Sequence, residues 1–233
     1  MPCCATLLDA MGAQLAHRPR GIVFDLDGTL IDSREDIARA ANSALSTLGF
    51  PTLPTETIAG FVGDGAASLL QRAAGIAADD ARLEPLHSAF LSAYAAHPVL
   101  RTRLFPGVQE ALDAIDRAGI PLALCTNKPR LTTELVLRAL DLDRRFRAVV
   151  AGGDLPRNKP DPLPIVHLAQ ELGVSAADLV VVGDGAQDVS AGSAAGARTV
   201  GVRHGIQPVA LMLAARPDHV IDSLFELPPL LRI

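Results

Sequence analysis

The chain of 233 residues can hold one large domain or one domain with a smaller insert, and a chain of that size can bury roughly 70% of its surface without disulfides or a structural metal. An apolar fraction of 49% against 20% charged residues excludes a disordered polyelectrolyte, while a net charge of −5 and 3% aromatics, none of them tryptophan, argue against a nucleic-acid partner. No run reaches the length of a membrane span, and three cysteines (Cys3, Cys4, Cys125) cannot build a disulfide framework and suit a reducing cytoplasm.

In chain order, residues 1–8 lack the basic start and long apolar stretch of a signal peptide. Residues 1–19 therefore read as an N-terminal extension whose first ten residues are dispensable. Gly21–Phe24 is a short apolar run of the kind that forms a buried parallel strand. From Ser33 to about Arg103 the pattern is helical and holds no convincing strand. Its first helix opens on a capping-box pattern, Ser33 and Asp36, runs through Ile37, Ala41, Ala44, Leu45 and Leu48, and stops at Gly49. Further helices are expected over residues 64–74 and 79–96. Beyond the insert, Val108, Ala111, Leu112, Ile115 and Ala118 form a helical stripe closed by Gly119. Ile165, Leu168, Ala169 and Leu172 form another, closed by Gly173. Apolar strand-like runs fall at residues 122–125, 148–151, 179–182 and 199–202, with a weaker one at 219–221, and residues 224–231 read as a terminal helix. Alternating strand and helix predicts an α/β fold: a parallel sheet between helices, with functional groups beyond the carboxyl ends of the strands.

Those ends carry complementary chemistry. In Phe24-Asp25-Leu26-Asp27-Gly28-Thr29-Leu30 two carboxylates leave a buried strand two residues apart at a glycine turn. One can attack an electrophile or bind a metal while the other moves a proton. The next strand end offers Thr126 and Asn127, with the hydroxyl, amide and backbone donors that hold phosphoryl oxygens. Lys159-Pro160 follows the third strand, and Gly183-Asp184-Gly185 with Asp188 the fourth. Each is unremarkable alone, but the four in order point to one site.

This combination resembles the haloacid dehalogenase superfamily phosphatases with a helical cap, over nearly everything from Arg20 onward. The resemblance implies a Rossmann-like parallel-sheet core, residues 20–32 and 105–233, with an all-helical cap at 33–104. Thr126-Asn127-Lys128-Pro129, Gly152-Gly153-Asp154 with Lys159-Pro160-Asp161-Pro162, and Phe61-Val62-Gly63-Asp64-Gly65 are similar to bacterial phosphoglycolate phosphatases. Carried over, the resemblance makes Asp25 the nucleophile, Asp27 the acid and base, Thr126 and Lys159 phosphate ligands, and Asp184 a ligand of Mg2+. The metal would be shared with Asp25 and the Asp27 carbonyl. Asp188 then orients Lys159 or the metal ligands, and Asn127, Gly28, Gly63 and Gly65 are expected at the substrate. Asp64 and Gly185 depart from the Asn and Ser frequent in the family. An extra carboxylate at 64 must point away from an anionic substrate, or pair with Arg34 or Arg72.

The expected partner is a small phosphorylated metabolite, and the expected assembly a monomer or homodimer. The alternatives are a phosphatase of a sugar phosphate or nucleotide, a phosphomutase, and, outside enzymes, a phospho-acceptor signalling domain. The segment Gly183-Asp184-Gly185-Ala186-Gln187-Asp188 is only superficially a dinucleotide fingerprint, since its two carboxylates would oppose a pyrophosphate. Cys125 reads as buried packing, and the six histidines lack metal-ligand spacing.

Overall fold

The computed structural model describes Leu15 and residues 17–233. The dispensable segment proposed at residues 1–10, with Cys3 and Cys4, lies outside the described residues. Strand β1 (Gly21–Phe24) is followed by β2 (Ile31–Asp32), the helices α1 (Arg34–Thr47), α2 (Thr55–Ala59), α3 (Ala66–Ala74) and α4 (Leu83–Ala96), and the return strand β3 (Arg103–Leu104). Next come α5 (Val108–Arg117), β4 (Leu122–Pro129), α6 (Arg130–Ala139), β5 (Ala148–Gly152) and α7 (Leu163–Leu172). The chain ends through β6 (Leu179–Gly183), α8 (Ala186–Ala194), β7 (Arg198–Val202), α9 (Val209–Ala214), β8 (His219–Ile221) and α10 (Leu227–Leu231).

The main sheet is parallel throughout, in the order β5-β4-β1-β6-β7-β8. Phe24 lies opposite Leu124 on one side and Val182 on the other. The chain builds outward from β1 through β4 and β5, then crosses back to β6. The loops after β1, β4 and β6 therefore diverge around one crevice, the place where such sheets bind ligands. Period-two alternation sorts the core onto two faces. Ile22, Phe24, Leu122, Leu124, Val180 and Val182 pack in one cluster with residues of α5 and α10. Val23, Ala123, Cys125, Leu179 and Val181 face the other way, toward α7 and α8. At about 1.5–3 kcal/mol per fully buried aliphatic side chain, a one-residue slip of β1 would expose the wrong set and is strongly disfavoured.

The insert is helical, and β2 and β3 form an antiparallel ribbon, Ile31 opposite Leu104 and Asp32 opposite Arg103, that brings its entry and exit side by side. Two-residue strands carry no readable period, so this ribbon was not expected, nor was the five-residue α2. The expected helices at 64–74 and 79–96 begin later. Gly65 at φ 90° breaks the chain just before α3, and Asp80 accepts from the Arg82 backbone N–H at 2.9 Å in the turn before α4.

The capping box is corrected. Ser33 stands at the start of α1 but makes no side-chain cap; its hydroxyl donates to Asp27 Oδ1 at 2.6 Å, because an anionic acceptor outcompetes a backbone partner. The Asp36 Oδ2 instead accepts from the backbone N–H groups of Leu100, Arg101 and Thr102 and from the Thr102 hydroxyl, at 2.8–3.0 Å. Burial works against ionisation of Asp36, but these donors outweigh it and hold the carboxyl below its usual range. The β4 strand also runs past residue 125, since Pro129 pairs with Gly152 after an irregularity. Finally, Leu15, expected in a separate extension, is buried in the core and donates its N–H to the Leu230 carbonyl.

Candidate active site

The Asp25 N–H still donates to the Val182 carbonyl at 2.9 Å, so its side chain is aimed by the sheet. The chain then turns sharply: the Leu26 carbonyl accepts from the N–H groups of Thr29, Leu30 and Ile31. Gly28 makes the turn at φ 94°, and a Cβ there would run into the Asp184 carboxylate. Gly28 thus provides clearance for Asp184 rather than forming part of the cavity wall.

At the end of β6, Asp184 Oδ2 accepts from the N–H groups of Ile206 and Gln207 at 2.8 and 3.1 Å, and Oδ1 from the Thr29 hydroxyl at 3.1 Å. Lys159 arrives after β5. Its ammonium donates to Asp25 Oδ1 at 2.7 Å, Asp188 Oδ1 at 2.5 Å and the Cys125 carbonyl at 2.5 Å. Asp188 Oδ2 accepts from the Gly185 N–H, which fixes it at the start of α8. The sequence expectation that Asp188 orients Lys159 therefore has a direct contact behind it.

Carboxylate oxygens of Asp25, Asp184 and Asp188, all buried, lie within 4.8 Å of one another. Burial pushes the Asp25 carboxyl up to about 7 despite Lys159, with Asp188 adding to the rise. Burial, then the charge of Asp25, pushes Asp184 up to about 6 against its N–H donors. Asp188 moves upward as well, chiefly by burial and against the pull of Lys159. Burial opposes the charge on Lys159, yet Asp188 and Asp25 hold its ammonium above the ordinary lysine range.

Beside this cluster lies a cavity of about 50 Å³. Its core wall includes Asp25, Asp27, Thr126, Asn127 and Lys128; its cap wall includes Ile37, Val62, Gly63, Leu69 and Phe90, with Gly65 also at the surface. The Thr126 hydroxyl accepts from the Lys128 N–H at 3.2 Å, which leaves its own proton for a ligand. Asn127 is committed differently. Its amide donates to the carbonyls of Gly63 and Lys159 at 2.8 and 2.9 Å and accepts from the Lys159 N–H, so the side chain ties cap loop to core loop. Gly63 has φ 131° and no room for a Cβ beside Gln187 and Gln207. Asp64 pairs with Arg72, while Arg34 is taken by Asp32 at 2.6 Å. The extra carboxylate is thereby neutralised off the cavity wall.

The side chain of Asp27 stands apart from the carboxylate cluster. Both its oxygens accept from Lys128 at 3.1 Å, and Ser33 adds a third donor. Lys128 is buried, and the Tyr94 ring of α4 covers its ammonium at 4.3 Å from the centroid. Burial opposes the Lys128 charge, but Asp27 and Tyr94 raise its pKa above the usual range. In the sequence Lys128 carries no assigned role, Ser33 reads only as a helix cap, Thr29 only as part of the first motif, and Tyr94 is missed. The signal for Tyr94 was its being the one tyrosine of the chain. Cys125 is buried, its thiol pushed up to about 12 chiefly by burial, and so is inert packing.

Comparison with known proteins places this geometry. The pattern of the Haloacid dehalogenase-like hydrolase family matches residues 22–202. A phosphoglycolate phosphatase of Neisseria meningitidis is 37% identical over 224 residues, 93% of this chain and 95% of the relative. A plasmid-encoded phosphoglycolate phosphatase of Cupriavidus necator is 40% identical, covering 90% and 92%. Among solved structures, a predicted phosphoglycolate phosphatase from Haemophilus somnus 129pt superposes with a TM-score of 0.84 at 30% identity, covering 91% of this chain and 98% of that one. CbbY from Rhodobacter sphaeroides, solved with phosphate, gives 0.77 at 25% identity, covering 90% and 96%.

Proposed function

The chain belongs to the haloacid dehalogenase-like hydrolases and is a phosphoric monoester hydrolase, and from that premise we propose a Mg2+-dependent reaction through an aspartyl phosphate on Asp25, with 2-phosphoglycolate as substrate. The observation that carries this reading is the Lys159 ammonium 2.7 Å from Asp25 Oδ1, beside a cavity whose wall also holds Asp27 and Thr126. The relatives named above support the choice of substrate. Residues 33–104 act as the cap, and the cytoplasm is the compartment that three cysteines without a disulfide framework suit. The working unit is a monomer or homodimer.

Phosphate monoester hydrolysis is among the slowest uncatalysed reactions, with enzymatic accelerations up to about 10²¹, and a carboxylate approaching a dianionic ester meets repulsion. Oxygens of Asp25 and Asp184 with the Asp27 carbonyl would hold Mg2+, which supplies positive charge against that repulsion. Asp25 attacks phosphorus and takes the phosphoryl group as an acyl phosphate. Lys159 and the Thr126 hydroxyl steady the oxygens of the group in transfer. Asp27 donates a proton to the departing oxygen and then accepts one from the water that cleaves the acyl phosphate. Ser33 and Lys128 hold Asp27 in place, and Asn127 keeps the Gly63 loop against the core so that water is excluded.

A kcat/KM panel over phosphoglycolate, sugar phosphates, nucleotides and pyrophosphate tests the substrate; a tenfold preference for any other would overturn it. Loss of turnover in Asp25→Asn, with a fluoroberyllate adduct on the wild-type chain, tests the covalent step. An active Asn variant with no adduct in the wild type would refute it.

A further inference from the structure

We propose that Lys128 is the specificity cation of this site: its ammonium binds a carboxylate attached to the ester carbon, so the enzyme selects leaving groups that carry one. This rests on the phosphatase reading above and deepens it. Among the described residues lining the cavity, Lys128 has the one cationic side chain, and the cap side is apolar, with Ile37, Val62, Leu69 and Phe90. A carboxylate entering such a space without a cation would lose its hydration uncompensated. Lys159 does not serve, because it lies off the cavity wall, held between Asp25 and Asp188 on the phosphoryl side.

Position favours Lys128 for the same task. It lies one hydrogen bond, 3.1 Å, beyond the Asp27 carboxylate that serves the ester oxygen. A carboxylate attached to the ester carbon reaches past the ester oxygen toward that ammonium; a neutral hydroxymethyl group there would gain little. Tyr94 packs over the ammonium from the cap side and limits where it can swing, so cap and core together define the subsite.

The test compares 2-phosphoglycolate with 2-hydroxyethyl phosphate, similar in size but with a neutral leaving group. Lys128→Met lowers kcat/KM for both, since Asp27 loses a partner, but the preference for the carboxylated ester falls by about 10- to 100-fold, the scale of one charge-assisted hydrogen bond. Lys128→Arg retains most of the preference. An equal loss on both esters in Lys128→Met would overturn the inference and leave the phosphatase reading standing. Absence of any preference in the wild-type chain would overturn the inference and the assignment of phosphoglycolate together. Because Lys128→Met strands a buried carboxylate, Asp27→Asn/Lys128→Met is compared with Asp27→Asn by calorimetry on the two esters. Selective weakening of phosphoglycolate binding in the double variant supports the inference, and equal weakening overturns it.

Discussion

Replacing Lys159 by methionine keeps the length of the side chain and removes three hydrogen bonds, to Asp25 Oδ1 at 2.7 Å, Asp188 Oδ1 at 2.5 Å and the Cys125 carbonyl at 2.5 Å. Two separable losses follow. The phosphoryl group loses one preorganised donor, about 2.7–4 kcal/mol or 10²- to 10³-fold in kcat. The fold loses the counter-charge between two buried carboxylates, about 3–5 kcal/mol by comparison with other broken buried pairs, against a typical total of about 5–15 kcal/mol. The chain should therefore fold with a lowered melting temperature. Mg2+ should shrink that deficit, because it offsets the charge of Asp25 and Asp184, but it should not recover the rate. The assay is kcat at saturating Mg2+ and substrate, alongside melts with and without the metal. A folded variant within threefold of wild-type kcat, or a rate loss that added Mg2+ repairs, would refute the role given to Lys159.

Chelation with EDTA should abolish turnover and Mg2+ should restore it; full activity in metal-free buffer would remove the metal from the scheme. Asp25 and Asp184 hold protons up to about pH 7 and 6 in the metal-free fold but ionise near 3.8 when unfolded. The folded chain therefore binds more protons across that window, and raising pH from about 4 to 7 should lower metal-free stability while tightening Mg2+ binding. Melting curves and calorimetric proton release check both signs, and a metal-free melting temperature that rises over that window would contradict the carboxylate assignment. Gly28→Ala strains a φ of 94° and drives a Cβ into Asp184. It should cost about 1–3 kcal/mol and weaken Mg2+ binding, and unchanged metal affinity would show that the clearance is not needed. Asp36→Ala should destabilise by about 3 kcal/mol or more, since one buried oxygen serves four donors; a urea midpoint equivalent to under 1 kcal/mol would discount the anchor.

The α/β core was legible because each buried strand announces itself locally. Gly21–Phe24 and His219–Ile221 match the sequence reading residue for residue, β5, β6 and β7 agree with it within one residue at each end, and β4 begins where expected but runs on to Pro129. Asp25, Thr126, Lys159 and Asp184 were legible for a related reason. Asp25 and Asp184 directly follow β1 and β6, Lys159 lies beyond β5 and Thr126 sits just past the apolar run of β4, and a parallel sheet gathers such positions at one edge whatever the intervening loops do.

What escaped the sequence reading is pairing between residues far apart in the chain, across the cap and core and within each, where no local period reports on the partner. The Asn127 amide meets the Gly63 carbonyl across 64 residues, Lys128 meets Asp27 across 101, and Asp36 reaches the Leu100 N–H across 64. Ser33 and Asp36 even form a valid local pattern, the capping box, which stronger distant partners override. A short polar motif states what a side chain can bond to, and only the fold decides which of the competing partners is near enough and buried enough to win. The polar residues most easily misread here are those whose strongest partners lie far away in the chain.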